Sequence, residues 1–163
     1  MFRILSNNKG VGLIEAIVVV SIVSVAFSAI LSAAVIFLKN GLYATDKVQA
    51  LYLLEEGVEA ARFLRDDSYT MNIMPSVGSG VFYVDPGAGG WTITTTNTPV
   101  FGRYTRTLEL TDVYRRNSDD DIVPSTSGDP KYIDADTAKL HVSVTWSTGS
   151  VELDTYIANI HDN

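Results

Sequence analysis

The chain has 163 residues, enough for one domain with a modest core and little spare for a second. Twelve Lys and Arg against 19 Asp and Glu give a formal charge of −7, which argues against a general nucleic-acid-binding surface. Cysteine is absent, and with it go disulfides, thiolate metal sites and cysteine nucleophiles.

Residues 1–10, MFRILSNNKG, carry Arg3 and Lys9 and no acid. After Glu15, the stretch from Ala16 to Leu38 contains no charged residue; as a helix it rises roughly 34 Å, enough to cross the hydrocarbon core. The basic flank before it and the acidic bulk after it orient the N-terminus to the cytoplasm and the remainder outward. Ser32, Ala33 and Ala34 mimic the small-residue site of an ordinary secretory signal. The length of the run and the helical patterning beyond Lys39 favour a helix that is retained. The serines at 21, 24, 28 and 32 form a small, weakly polar stripe at helical spacing.

From Ala44 onward, Ala44, Val48, Leu51, Leu54, Val58, Ala61 and Leu64 step by three or four, which predicts the buried face of an amphipathic helix. Charged residues occupy the other face, where Arg62 and Asp66 are placed to pair at i,i+4. One helix is therefore expected from about Val11 to about Asp66, with Gly41 and Gly57 as its weak points, each costing about 1 kcal/mol relative to alanine.

Beyond Asp67 the pattern becomes short strands between turn residues: Gly80–Val84, Trp91–Thr96, Arg103–Thr111, Lys139–Ser147 and Val151–Ala158. In the fourth, Leu140, Val142, Val144 and Trp146 alternate with polar residues; the fifth repeats the alternation, and the short Thr148-Gly149 link makes the two a hairpin. Asn117–Asp136 reads as a long surface loop. Gly87-Ala88-Gly89-Gly90 reads as a turn before Trp91, since it fits no nucleotide fingerprint. The expected fold is α+β: a long N-terminal helix, transmembrane in its first half, packed on an antiparallel sheet. The expected organisation is a leader at 1–10, a transmembrane and assembly segment at 11–40, and a globular head at 41–163. The head divides into an amphipathic helix half at 41–66 and a β-rich region at 67–163.

Glu15 is the most informative residue. A carboxylate deep in a span costs about 2.5–3.5 kcal/mol on insertion scales, so it calls for a partner or a task. The string Lys9-Gly10-Val11-Gly12-Leu13-Ile14-Glu15, followed by an unbroken apolar helix, resembles the class III signal of type IV prepilins and type II secretion pseudopilins. The resemblance implies a pilin-like ladle shape, cleavage by a prepilin peptidase between Gly10 and Val11, and N-methylation of the new Val11 amine. It also implies that Glu15, fifth in the mature chain, pairs in assembly with the Val11 amine of a neighbour. Val11 and Gly12 stand where the family most often has phenylalanine and a small hydroxyl residue, which favours a minor pilin or minor pseudopilin. Glu55–Arg62 and Val142–Trp146 also look like minor members of the family.

The resemblance further implies a structural subunit and not an enzyme, with no cofactor. Its partners would be the peptidase, other pilin or pseudopilin subunits, an inner-membrane assembly platform and the lipid bilayer; no nucleic acid is implied. Its place would be the cytoplasmic membrane, single-pass with the N-terminus inside, and after assembly an extracytoplasmic or cell-surface filament. The alternative is a membrane-anchored extracytoplasmic binding domain that never polymerises, for which Glu15 at this spacing has no use. Two histidines, His141 and His161, and the absence of H-E-x-x-H and G-x-S-x-G leave little for zinc or hydrolase chemistry. Asp119, Asp121, Asp134 and Asp136 are candidate calcium ligands, but no EF-hand glycine and closing glutamate occur at the right offsets, so a solvated acidic loop is the preferred reading.

Overall fold

A computed structural model of the protein describes residues 11–87 and 89–160. Helix α1 runs Val11–Ser68 without interruption and is followed by a π-helical turn, Tyr69–Ile73, and a 3-10 turn, Met74–Ser76. Ser68 ends the α-helical run: its backbone is extended and its hydroxyl accepts a hydrogen bond from the Met71 N–H at 3.2 Å. Six strands follow, β1 Val81–Gly87, β2 Gly90–Thr94, β3 Thr105–Arg116, β4 Ile122–Val123, β5 Lys131–Trp146 and β6 Gly149–Ala158. All strand pairs are antiparallel, in the order β2-β1-β3-β5-β6, with β4 paired to the far end of β3. The chain is α+β as expected. It divides into two compact units, one ending at Ala44 and one starting at Thr45.

In the second unit the core lies between α1 and one face of the sheet. Leu108, Leu110, Leu140, Val142 and Val144 are fully buried, because alternation puts every second residue of β3 and β5 on the helix side. Leu54, Val58, Ala61 and Leu64 are buried as their spacing predicts. Val48 and Leu51, expected on the same face, remain 51% and 44% exposed, and Ala44 is exposed too. The buried line instead runs through Ala50, Leu53 and Gly57. Two adjacent apolar stripes satisfy the 3.6-residue period here, and contact with the sheet selects one of them.

Gly57 is a point of close approach and not a break in the helix. A Cβ there would lie 3.0 Å from both Arg106 Cδ and Val142 Cγ1, so the missing side chain lets α1 sit down on β3 and β5. The predicted Arg62–Asp66 pair does not form: Arg62 reaches back to Glu59 and Arg65 pairs with Asp66. Helical side chains lean toward the N-terminus, which favours the backward partner.

The largest departure is at Asn117–Asp136. β3 continues to Arg116, β4 lies inside the segment, and β5 begins at Lys131, pairing Tyr114 with Ile133 and Arg115 with Tyr132. Between the pairs Asp112–Ala138 and Val113–Asp134, β5 carries Ala135, Asp136 and Thr137 as a bulge. Turn-forming residues masked a strand that exists because β3 offers it an edge. The β5–β6 hairpin forms as predicted, closed by the Trp146–Gly149 pair.

Trp146 is buried, with its ring centroid 6.3 Å from that of Tyr104. Trp146→Ala is expected to destabilise the sheet-bearing unit by roughly 3–5 kcal/mol, read from urea unfolding of a truncated protein beginning at Gly41. A loss under about 1 kcal/mol would show that the site collapses around the cavity.

Candidate functional site

Glu15 lies near the start of α1, exposed, and among the described residues it has no ion-pair or hydrogen-bond partner. At about 100° per residue, the Ser21 line lies roughly 120° round the helix from Glu15. Gly10 lies outside the described residues; Val11 opens the helix. Each serine of the stripe donates its hydroxyl to the carbonyl four residues back: Ser21 to Ile17 at 2.8 Å, Ser24 to Val20 at 2.7 Å, Ser28 to Ser24 and Ser32 to Ser28 at 2.9 Å. The stripe is thus satisfied within its own helix and enters an apolar environment at low cost, leaving a row of small residues for close contact. Among the described residues one helix, near the N-terminus, is long and apolar enough to cross a membrane.

The acidic segment is organised by two arginines. Arg116 holds Asp119 at 2.7 Å and Asp129 at 3.0 Å, with Asp121 at 3.9 Å, and Arg115 pairs with Asp134. Asp136 sits in the β5 bulge, its N–H donating to Asp134 Oδ1 at 3.0 Å. The calcium candidates Asp119, Asp121, Asp134 and Asp136 therefore do not converge on a shared centre, and among the described residues no three His, Asp or Glu are placed to hold a metal. Spacing alone could not show that Arg115 and Arg116 would lie across the sheet from them. His141 is on the polar face of β5 as predicted, 2.7 Å from Asp154 Oδ1, while Lys139 holds the other oxygen at 2.9 Å. His161 lies outside the described residues. Gly87 pairs with Gly90 to close the β1–β2 hairpin, and a Cβ on Gly90, at φ +124°, would strike the Phe63 ring.

Sequence reading missed two residues. Arg106, in a strand that otherwise alternates normally, is only 5% exposed. Its guanidinium donates to the carbonyls of Val84 at 3.2 Å and Leu53 at 3.4 Å, pairs with Glu56 at 3.1 Å and lies 5.1 Å from the Trp91 ring centroid. A lone arginine at an inward position of a predicted strand was the available signal. The other is Phe101, in a turn where both central residues have positive φ.

No protein-family model, curated protein or solved structure matches the chain.

Burial alone would raise the Asp134 carboxyl, but hydrogen bonds from Arg115, the Thr137 hydroxyl and the Asp136 N–H outweigh it and hold it below the usual carboxylate range. Asp119 is lowered likewise against desolvation, by the Asp121 N–H and Arg116, and Asp154 is lowered by Lys139 and then His141. In the opposite direction, burial, with Asp134 and Asp136 nearby, pushes the Tyr69 phenol up to about 12. Depressed carboxylates contribute stability that is complete above the ordinary value near ~3.9 and is lost as pH falls through their folded values. A raised phenol contributes below ~10, and that contribution fades as pH climbs through its folded value. The urea midpoint is expected to hold down to about pH 4 and fall below it. Asp134→Asn should lower the neutral plateau and flatten the acid limb; an unchanged limb would remove Asp134 from the account.

Proposed function

We propose that the protein is a minor structural subunit of a type IV pilus or type II secretion pseudopilus. On this reading it is cut after Gly10 by a prepilin peptidase, methylated on Val11 and assembled through the first half of α1. The observation that carries the reading is the placement of Glu15 five residues after Gly10, as the one acid in the apolar first half of α1. Support comes from a helix with an apolar exposed first half and a separate folded unit beyond it. The chain would sit single-pass in the cytoplasmic membrane with its N-terminus inside, and move into an extracytoplasmic filament on assembly.

The chemistry follows from desolvation. Cleavage creates a cationic amine on Val11, and when subunits stack, a neighbour's Glu15 neutralises it where an unpaired charge would be costly. The pairing sets axial register. A plain membrane anchor for a binding domain gains nothing from such a carboxylate.

The mature chain is expected to begin at Val11, tested by intact mass of membrane-derived protein made with the peptidase present. A chain that keeps Met1 under those conditions would refute the processing step. Glu15→Ala should leave folding, insertion and cleavage intact but cut incorporation into sheared filaments severely, with the membrane fraction as control. Wild-type incorporation of the variant would rule out charge pairing.

A further inference from the structure

The middle of α1 carries, within eleven positions, the residue signals of a helix end and of a helix start, although the helix runs through both. Lys39-Asn40-Gly41 is a stop: a cation in the last turn, then two poor helix formers, of which glycine takes the left-handed conformation of a helix C-cap without strain. Asp46-Lys47-Val48-Gln49 is a start: an N-cap acid with glutamine three residues on, followed at once by the apolar run Ala50-Leu51-Tyr52-Leu53-Leu54. The boundary between the two compact units, after Ala44, falls between these signals. Packing divides at the same place. Every residue from Gly12 to Thr45 is exposed, and a Cβ on Gly41 would meet nothing within 4 Å, so Gly41, unlike Gly57, serves no close approach. Asp46 is the first residue after them to be partly buried. From there the helix is held by the residues that lead into β3: Arg103 pairs with Asp46 through Oδ1, and the buried Tyr104 donates its hydroxyl to Gln49 Oε1 at 2.8 Å. Both side chains of the latent capping box are thus kept in place from the sheet side, independently of the helical turn that precedes them.

We propose that α1 contains a joint: residues 42–45 unwind and rewind, with Gly41 closing the helix before them and Asp46 capping the helix after them. Local signals that disagree with a continuous helix, at a place where packing does not override them, describe an element with two states. The position suits the change of surroundings along the chain. Ala16 to Leu38 carries no charge, and in an apolar layer unwinding there would strip backbone groups of their partners; beyond Lys39 water takes them up. An open joint spares the sheet-bearing unit from following every tilt of the apolar segment. It requires that the first half of α1 be anchored, and not that the chain polymerise.

Amide hydrogen exchange of the full-length protein in lipid nanodiscs, read by mass spectrometry, tests the joint. Amides of residues 42–45 should exchange about tenfold faster, or more, than those of residues 20–36 and 50–64. Gly41→Ala, for which the structure has room, should slow exchange at 42–45 by roughly fivefold or more. Asp46→Asn keeps an N-cap but loses the charge that pairs with Arg103, and should leave the fast segment as it is; Asp46→Ala loses the cap and should slow it. Exchange at 42–45 no faster than in the flanking turns, or unaltered by Gly41→Ala, would overturn the joint. Asp46→Asn behaving as Asp46→Ala would overturn it too, since the ion pair and not the cap would then set where the second helix begins. Gly41 lies outside the sheet-bearing unit, so its variant decides the matter even where Asp46→Ala fails to fold.

Discussion

The sheet-bearing unit depends on how closely α1 lies on β3 and β5, and that closeness depends on a side chain that is missing. At Gly57 the helix backbone comes down on Arg106 and Val142, with no room for even a methyl group without displacing one of them. The small residues Ala50, Ala60 and Ala61 on the same side of the helix are likewise buried. Helix propensity alone would favour alanine at Gly57 by about 1 kcal/mol, so the glycine is retained against that preference by packing. The contact also explains how a buried arginine is tolerated. Pressed beneath the helix, Arg106 finds carbonyls from α1 and β1, the Glu56 carboxylate and the Trp91 ring, and so joins four elements through one satisfied cation.

The two halves of α1 differ in the surface they present. In the first half the helix is apolar all round, its serine hydroxyls are consumed by its own carbonyls, and Glu15 stands without a partner among the described residues. Such a surface suits an apolar environment except at Glu15, where a carboxylate without a partner is costly. In the second half a single stripe is buried on the sheet, while Val48, Leu51 and Tyr52 remain outside it. Both halves therefore carry exposed groups, Glu15 in the first and Val48, Leu51 and Tyr52 in the second, that nothing among the described residues covers.

Charge in the rest of the molecule is handled locally. Arg115 and Arg116 at the end of β3 gather the acids of the β3–β5 connection, turning what composition suggests is a loose acidic segment into a sheet extension held by ion pairs. These pairs are mostly exposed, so each adds modestly to stability, and their main effect is to hold the β5 bulge and its neighbours in place. Phe101 is the contrary case, a local choice that the rest of its own fold does not reward.

Sequence by itself determined the fold class, the long helix, the change to strands after Asp67, the inward row Leu140, Val142, Val144 and Trp146, and the hairpin that follows it. All of these rest on periodicity or turn chemistry, which are local and survive without knowledge of distant residues. Glu15 also stood out from the sequence, because a charge in an apolar helix is conspicuous whatever the fold. Tertiary structure alone decided which of two apolar stripes α1 buries, that Gly57 is a contact and not a flaw, that Arg106 is interior, and that Lys131–Asp136 is a strand. Each of these depends on what a residue meets across space: the sheet that lies under the helix, or the free edge that β3 presents. A pattern of residue types along the chain carries no record of such encounters, since the same pattern is compatible with several partners until packing selects one.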